Sequence, residues 1–164
     1  MLKHILCATI LACGIPTASA SPETAENWGV QASNIYQTTT DMLDSLNDRS
    51  FTGIPADFED QMSRFASTAS HLAVWTDDTQ SAPDLGCIYR GMAEEAELQL
   101  IALEDANSAS GVRAALKRIA TMTDDAQSIA IASAHAGRTG EQVAPTGQCL
   151  TNSALIDHAL GRGS

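Results

Sequence analysis

Apolar residues recur at alternating four- and three-residue steps along most of this chain, the spacing that places them on one stripe of an α-helix. The first stripe is Trp28, Ala32, Ile35, Thr39, Met42 and Leu46. Ser21, Pro22 and Glu23 precede it as an N-cap, a proline at the first helical position and an acid in the first turn, so the pattern predicts a helix from Pro22 to about Asn47. Gly53 and Pro55 break the pattern, and Asp57, Glu59 and Asp60 mark the next helix start. Phe58, Met62, Phe65, Ala69 and Leu72 then repeat the stepping, which predicts a second helix to about Trp75.

The polar stretch TDDTQSAPDLG reads as a connector, with Asp84 the expected N-cap of a third helix. Leu85, Ile88, Met92, Ala96, Leu100 and Leu103 form its expected stripe, and Glu94, Glu95, Glu97 and Glu104 occupy other sides. A short turn at Asn107-Ser108-Ala109-Ser110 makes the fourth helix an antiparallel neighbour of the third. Its stripe is Val112, Ala115, Ile119, Met122, Ala126, Ile129, Ser133 and Ala136, with Gly137 expected to end it. Four long helices with one stripe each predict an all-α, up-down-up-down four-helix bundle. Beyond the loop at 140–147, a short fifth helix from about Leu150 to Leu160 is expected to cover one end or side. No fixed-period repeat and no low-complexity tract interrupts this organisation.

The first twenty residues read differently. Lys3 and His4 lead into an apolar run from Ile5 to Ile15, followed by Pro16 and the small residues Ala18-Ser19-Ala20, the layout of a secretory signal peptide cleaved after Ala20. The run is too short for a permanent span. Ile10-Leu11-Ala12-Cys13 offers a lipoprotein-type alternative, but the residues before Cys13 fit that pattern poorly. The remaining 21–164 is one domain's length, and export to the periplasm or the extracellular space is the expectation.

Composition narrows the partners. With Lys3 removed, eight basic residues face twenty acidic ones, a net charge of −12. That surface disfavours nucleic acid and anionic lipid and favours basic partners or cations, while also serving solubility. Low aromatic content with abundant alanine and serine suits closely packed helices better than a sandwich of sheets.

Cys7 and Cys13 leave with the leader, so Cys87 and Cys149 remain, and an even pair in an exported protein predicts a disulfide. Topology agrees, because the start of the third helix and the end of the fourth lie at the same end of an antiparallel hairpin. Closing a loop of roughly 60 residues contributes about 4 kcal/mol in the chain-entropy treatment and would pin the fifth helix to the bundle. A reactive thiolate at a helix start is the competing reading, but no C-x-x-C partner exists and Asp84 opposes a thiolate.

Candidate chemistry is sparse. His71, His135 and His158 form no recognised ligand spacing, Glu94 and Glu97 lack the histidine of a di-iron bundle, and C-x-x-C-H is absent. Met42, Met62, Met92 and Met122, one per helix, read more simply as core filling than as a soft-metal or haem site. Residues 48–59, DRSFTGIPADFE, resemble a calcium loop in placing Asp48, Ser50, Thr52 and Glu59 at ligand positions, with Gly53 at the turn. Pro55 and the low carboxylate count depart from that pattern, and an ordinary interhelical turn is the plainer account. Asp77-Asp78 and Asp124-Asp125 are adjacent in sequence and point apart, so they read as solvated surface. Arg113, Lys117 and Arg118 are expected to face Glu104 and Asp105 across the short turn. No nucleophile or phosphate-loop motif accompanies them. The chain therefore reads as a non-enzymatic module that binds an unknown protein or small ligand without a cofactor. A metal or haem carrier built on the histidines, the methionines or calcium at 48–59 is the alternative.

Overall fold

A computed structural model describes residues 20–79 and 83–140. It is all-helical: α1 Pro22–Asn47, α2 Phe58–Thr79, α3 Pro83–Glu104 and α4 Ala109–Thr139. Successive helices reverse direction, α1 packs mainly on α4 and α2 mainly on α3, and the thinner α1/α2 and α3/α4 contacts close the ring into the expected four-helix bundle. The starts of α1 and α3 and the ends of α2 and α4 share one end, called the near end below. The far end carries the 48–57 turn and the α3/α4 turn. Among the described residues no helix is long and apolar enough to cross a membrane. The expected fifth helix lies outside the described residues.

Local sequence explains the boundaries. At Ser21 the side chain accepts the Thr24 backbone N–H at 3.2 Å while the Ser21 backbone N–H donates to Thr24 Oγ1 at 3.2 Å, a reciprocal capping box that starts α1 where expected. Ser108 caps α4 through the Gly111 N–H at 3.2 Å. Three expected boundaries need correction. α2 runs on to Thr79 because the hydroxyls of Thr76 and Thr79 bond back to Leu72 and Trp75 carbonyls, so these polar residues stay within the helical ladder. Asp84 is not the N-cap, since α3 already starts at Pro83; its Oδ2 is enclosed with no hydrogen-bond partner among the described residues.

Gly137 does not end α4. The helix continues to Thr139 and stops at Gly140, whose φ of 66° is the left-handed conformation glycine adopts freely. Gly137 instead permits close packing, because a Cβ there would stand 2.7 Å from Trp75 Cη2 and 2.9 Å from Pro22 Cγ. Gly29 plays the same part between α1 and α4, where a Cβ would meet Ala130 Cβ at 2.7 Å. These hydrogens in place of methyl groups let the near ends of α1, α2 and α4 approach beyond what alanine allows.

The expected stripes of α1 and α2 are buried throughout, apart from the half-buried Leu46 at the far end of α1. The α3 stripe is rotated from expectation: Leu85, Tyr89, Ala93 and Ala96 face the core, and Ile88 and Met92 sit at its margin. Tyr89 draws the helix round because its ring and its hydroxyl both find partners inside. Buried Thr39, Thr76 and Thr123 each donate to a carbonyl one turn back on their own helix, so the core carries their polarity without cross-helix bonds.

Gly29→Ala is expected to lower unfolding free energy by about 1–3 kcal/mol through overpacking against Ala130, although alanine is the better helix former. Thermal unfolding with unchanged helical circular dichroism checks it; an increase in stability would show that α1 and α4 are further apart than described.

Candidate functional site

One cluster joins all four helices. Trp28 of α1 stacks on Phe65 of α2 with ring centroids 4.7 Å apart at 18°, and meets Tyr89 of α3 edge-on at 5.0 Å and 70°. The indole Nε1–H donates to the Phe65 carbonyl at 3.0 Å. The Tyr89 hydroxyl donates at 2.7 Å to Ser133 Oγ of α4, which donates at 2.8 Å to the Ile129 carbonyl. Every polar side-chain atom of the cluster is thus bonded inside the buried core, and burial pushes the Tyr89 phenol up to about 12 against the opposing hydrogen bond to Ser133. This chemistry is structural: an un-ionised phenol with its proton already donated. Periodicity alone missed Tyr89, although a tyrosine four residues after Leu85 and four before Ala93 carries the signal.

The surface is laced by ion pairs. Arg138 near the end of α4 reaches Glu26 at 2.6 Å and Glu23 at 3.8 Å on α1. The Glu23 carboxyl is held below its usual range chiefly by a backbone N–H of the first turn and then by Ser21, that of Glu26 chiefly by its hydrogen bond from Arg138. Arg90 meets Asp77 at 2.6 Å across α2 and α3. Arg118 meets Glu95 at 2.8 Å across α3 and α4, not Glu104 or Asp105 as expected, because it lies more than two turns along α4 from the connecting turn. Arg113 turns to α1 instead, donating to the Leu46 carbonyl at 3.4 Å and Asn47 Oδ1 at 3.3 Å.

The calcium-type residues occupy separate places. Asp48 is the C-cap of α1 and its backbone N–H donates to the Asp44 carbonyl. Ser50 and Thr52 line a shallow hollow against Asp41, Met42 and Ser45, whereas Glu59, in the first turn of α2, borders another. Among the described residues no group of three or more His, Cys, Asp and Glu is arranged to hold a metal ion. His71 and His135 are exposed on α2 and α4, and His158 lies outside the described residues. Met42, Met62 and Met122 are in the core and Met92 is half-buried at its edge. Cys87 is half-buried and is the fifth residue of α3, two residues deeper than expected because the helix starts earlier; Cys149 lies outside the described residues.

The hollow beside Glu59 is apolar within and has carboxylates at its edge. Ile54, Pro55 and Phe58 from the α1/α2 turn and the start of α2 meet Leu100 and Leu103 of α3, enclosing about 250 Å³ with Glu59 and Glu104 at the rim. Phe58 is the buried floor and Ile54 remains 38% exposed. Arg49, with a φ of 61°, and Gly53, with a φ of 125°, turn the chain so that Ile54 and Pro55 return over the α3 end. An apolar pocket with a carboxylate rim suits a ligand that is oily in the middle and positive at its edge.

No protein-family model, curated protein or solved structure matches the chain.

Ser133→Ala is expected to destabilise the bundle by about 1–3 kcal/mol by stranding the buried phenol, and Tyr89→Phe by only about 0.5–1.5 kcal/mol, since Ser133 keeps its Ile129 bond. Denaturant unfolding of the two single variants and the double variant checks the order. Because the folded phenol titrates above the unfolded one, its contribution is complete below about pH 10 and fades by up to about 1.4 kcal/mol per pH unit as pH rises from 10 towards 12. Tyr89→Phe should remove that alkaline loss.

Proposed function

We propose that the chain is exported after cleavage following Ala20 and works, without catalysis, as an acidic binding module. It takes a cationic amphipathic segment of another protein into the hollow between the 54–58 turn and the end of α3. The observation that carries this reading is the hollow itself, apolar within and edged by Glu59 and Glu104. The charge of −12 on residues 21–164 extends the same preference over the whole surface and would speed encounter with a basic partner. Export is supported by the layout of the first twenty residues and by the position of the capping box, which begins α1 at the residue that would become the mature start.

The Cys87–Cys149 bridge belongs to the same proposal. Its support is that Cys87 sits half-buried near the start of α3 and shares the near end with the last residue of α4. A bridge there would leave the far-end hollow open.

The test uses the full mature chain and a lysine/leucine amphipathic peptide, with a glutamate/leucine peptide of equal length as control. Binding of the cationic peptide alone is expected, weakening about tenfold or more between 50 mM and 500 mM salt. Leu103→Glu should abolish it, and Glu59→Gln with Glu104→Gln should weaken it several-fold while leaving the helical fold intact. Equal affinity for both peptides, or no binding at millimolar concentration, would overturn the reading.

A further inference from the structure

The seam between α1 and α2 is built unlike the other three. Ion pairs cross from α1 to α4, from α2 to α3 and from α3 to α4, but among the described residues none crosses from α1 to α2. The sequence explains this. No carboxylate stands from Asn27 to Thr40 on α1 or from Gln61 to Thr76 on α2, where the average acid content of residues 21–164 would place about four. Amides and hydroxyls take their place. Asn27, Gln31, Asn34 and Thr38 follow one another at four-, three- and four-residue steps, so they share the side of α1 turned toward α2.

With Gln61 and Arg64 of α2 they line an open hollow of about 590 Å³, and exposed Val30 supplies an apolar edge. The Gln31 side chain is fixed across it, with Nε2 donating to the Gln61 carbonyl at 3.1 Å. Arg64 is exposed there, and its side chain has no hydrogen bond or ion pair to a described residue. Asp60, one turn earlier on α2, does not hold it, and Asp57 is engaged by Gln61, whose Nε2 donates to Oδ2 at 2.8 Å. Arg90, Arg118 and Arg138 are each held by an acid, and Arg113 by Leu46 and Asn47. Arg49 and Lys117 are also without an acid, but neither borders this hollow. A guanidinium left free among side-chain amides suits a ligand that carries a carboxylate and several hydroxyls. The guanidinium fork takes both carboxylate oxygens at once, and each amide offers a donor and an acceptor to a hydroxyl. Val30 accepts the C–H face of a sugar ring. A cationic segment of the kind assigned to the far end finds no carboxylate here, so the two hollows select different partners.

We propose that the α1/α2 hollow binds an acidic sugar, with Arg64 on the carboxylate and Asn27, Gln31 and Asn34 on the hydroxyls. The sugar is either free or part of a polysaccharide. Calorimetric titration of the mature chain with galacturonate, its trimer, galactose and acetate tests this. Galacturonate is expected to bind on the order of tenfold or more tighter than galactose or acetate, because neither of those offers both groups. Tighter binding of the trimer would assign the source to a polysaccharide, and binding no tighter than the monomer to the free sugar acid. Arg64→Gln should erase the preference for galacturonate over galactose, and Arg64→Lys should keep only part of it, since lysine has no fork. Asn27→Leu with Asn34→Leu should weaken both sugars while helical circular dichroism stays unchanged. Lys117→Gln should change nothing, which separates one bound carboxylate from general attraction to positive charge. Equal affinity for galacturonate and galactose, a preference that survives Arg64→Gln, or no binding of any of the four at concentrations on the order of 10 mM would overturn the proposal.

Discussion

The bundle depends on one indole. Trp28 touches both a neighbouring helix and the diagonal one, through Phe65 of α2 and Tyr89 of α3, and Tyr89 passes the connection to α4 through Ser133. Directional contacts at one level fix the rotation and height of all four helices together. Apart from Phe58, the remaining core residues are aliphatic or small and tolerate sliding, because their attraction has no preferred direction. A bundle of alanines, methionines and a few leucines would otherwise hold several registers of similar energy. The fully bonded Trp-Phe-Tyr-Ser set is what selects one.

Small residues set the second constraint. Gly29 of α1 meets Ala130 of α4, Gly137 of α4 meets Pro22 at the start of α1, and the absent methyl groups bring these helices close. Close approach gives many weak contacts per turn in place of large side chains, which suits a chain with so few aromatics. The exposed ion pairs at α1/α4, α2/α3 and α3/α4 add little individually but agree with this arrangement and disfavour others. The two tight pairs, α1 with α4 and α2 with α3, are therefore the rigid halves, and the Trp28 cluster is the seam between them.

The helices were legible because periodicity, caps and breakers agreed along α1, α2 and α4. Ser21 with Pro22 marked a start that the capping box reproduces, and the α1 stripe matched burial at every position but half-buried Leu46. α3 was harder because it is apolar on more than one side, so Ile88 and Met92 competed with Tyr89 and Ala93 for the inward face. Gly137 was misread for a related reason: a glycine near a helix end resembles a stop signal, and only the position of Trp75 and Pro22 shows that it makes room. The hollow beside Glu59 was not legible at all. It joins residues some fifty positions apart, and nothing in local spacing says that Leu100 and Leu103 meet Ile54 over a floor of Phe58.

The two ends of the molecule differ in a way that bears on where binding belongs. At the near end the capping box, the Arg138 pairs and the interlocked Gly137, Trp75 and Pro22 hold three helix termini together. At the far end the chain turns through a left-handed Arg49, the 52–57 turn is exposed, and the apolar residues of the hollow are only partly covered. Local opening is easiest where fewest buried contacts are lost, so the far end can adjust to a ligand at small cost while the Trp28 cluster keeps the helices in register. Glu59, Asp60, Glu104 and Asp105 gather negative charge at that same end, where the partial charges of two helix C-termini and two helix N-termini offset one another. A tied near end, a more open far end and carboxylates gathered at the latter are what favour the end of α3 over the bundle's polar sides in the proposed reading.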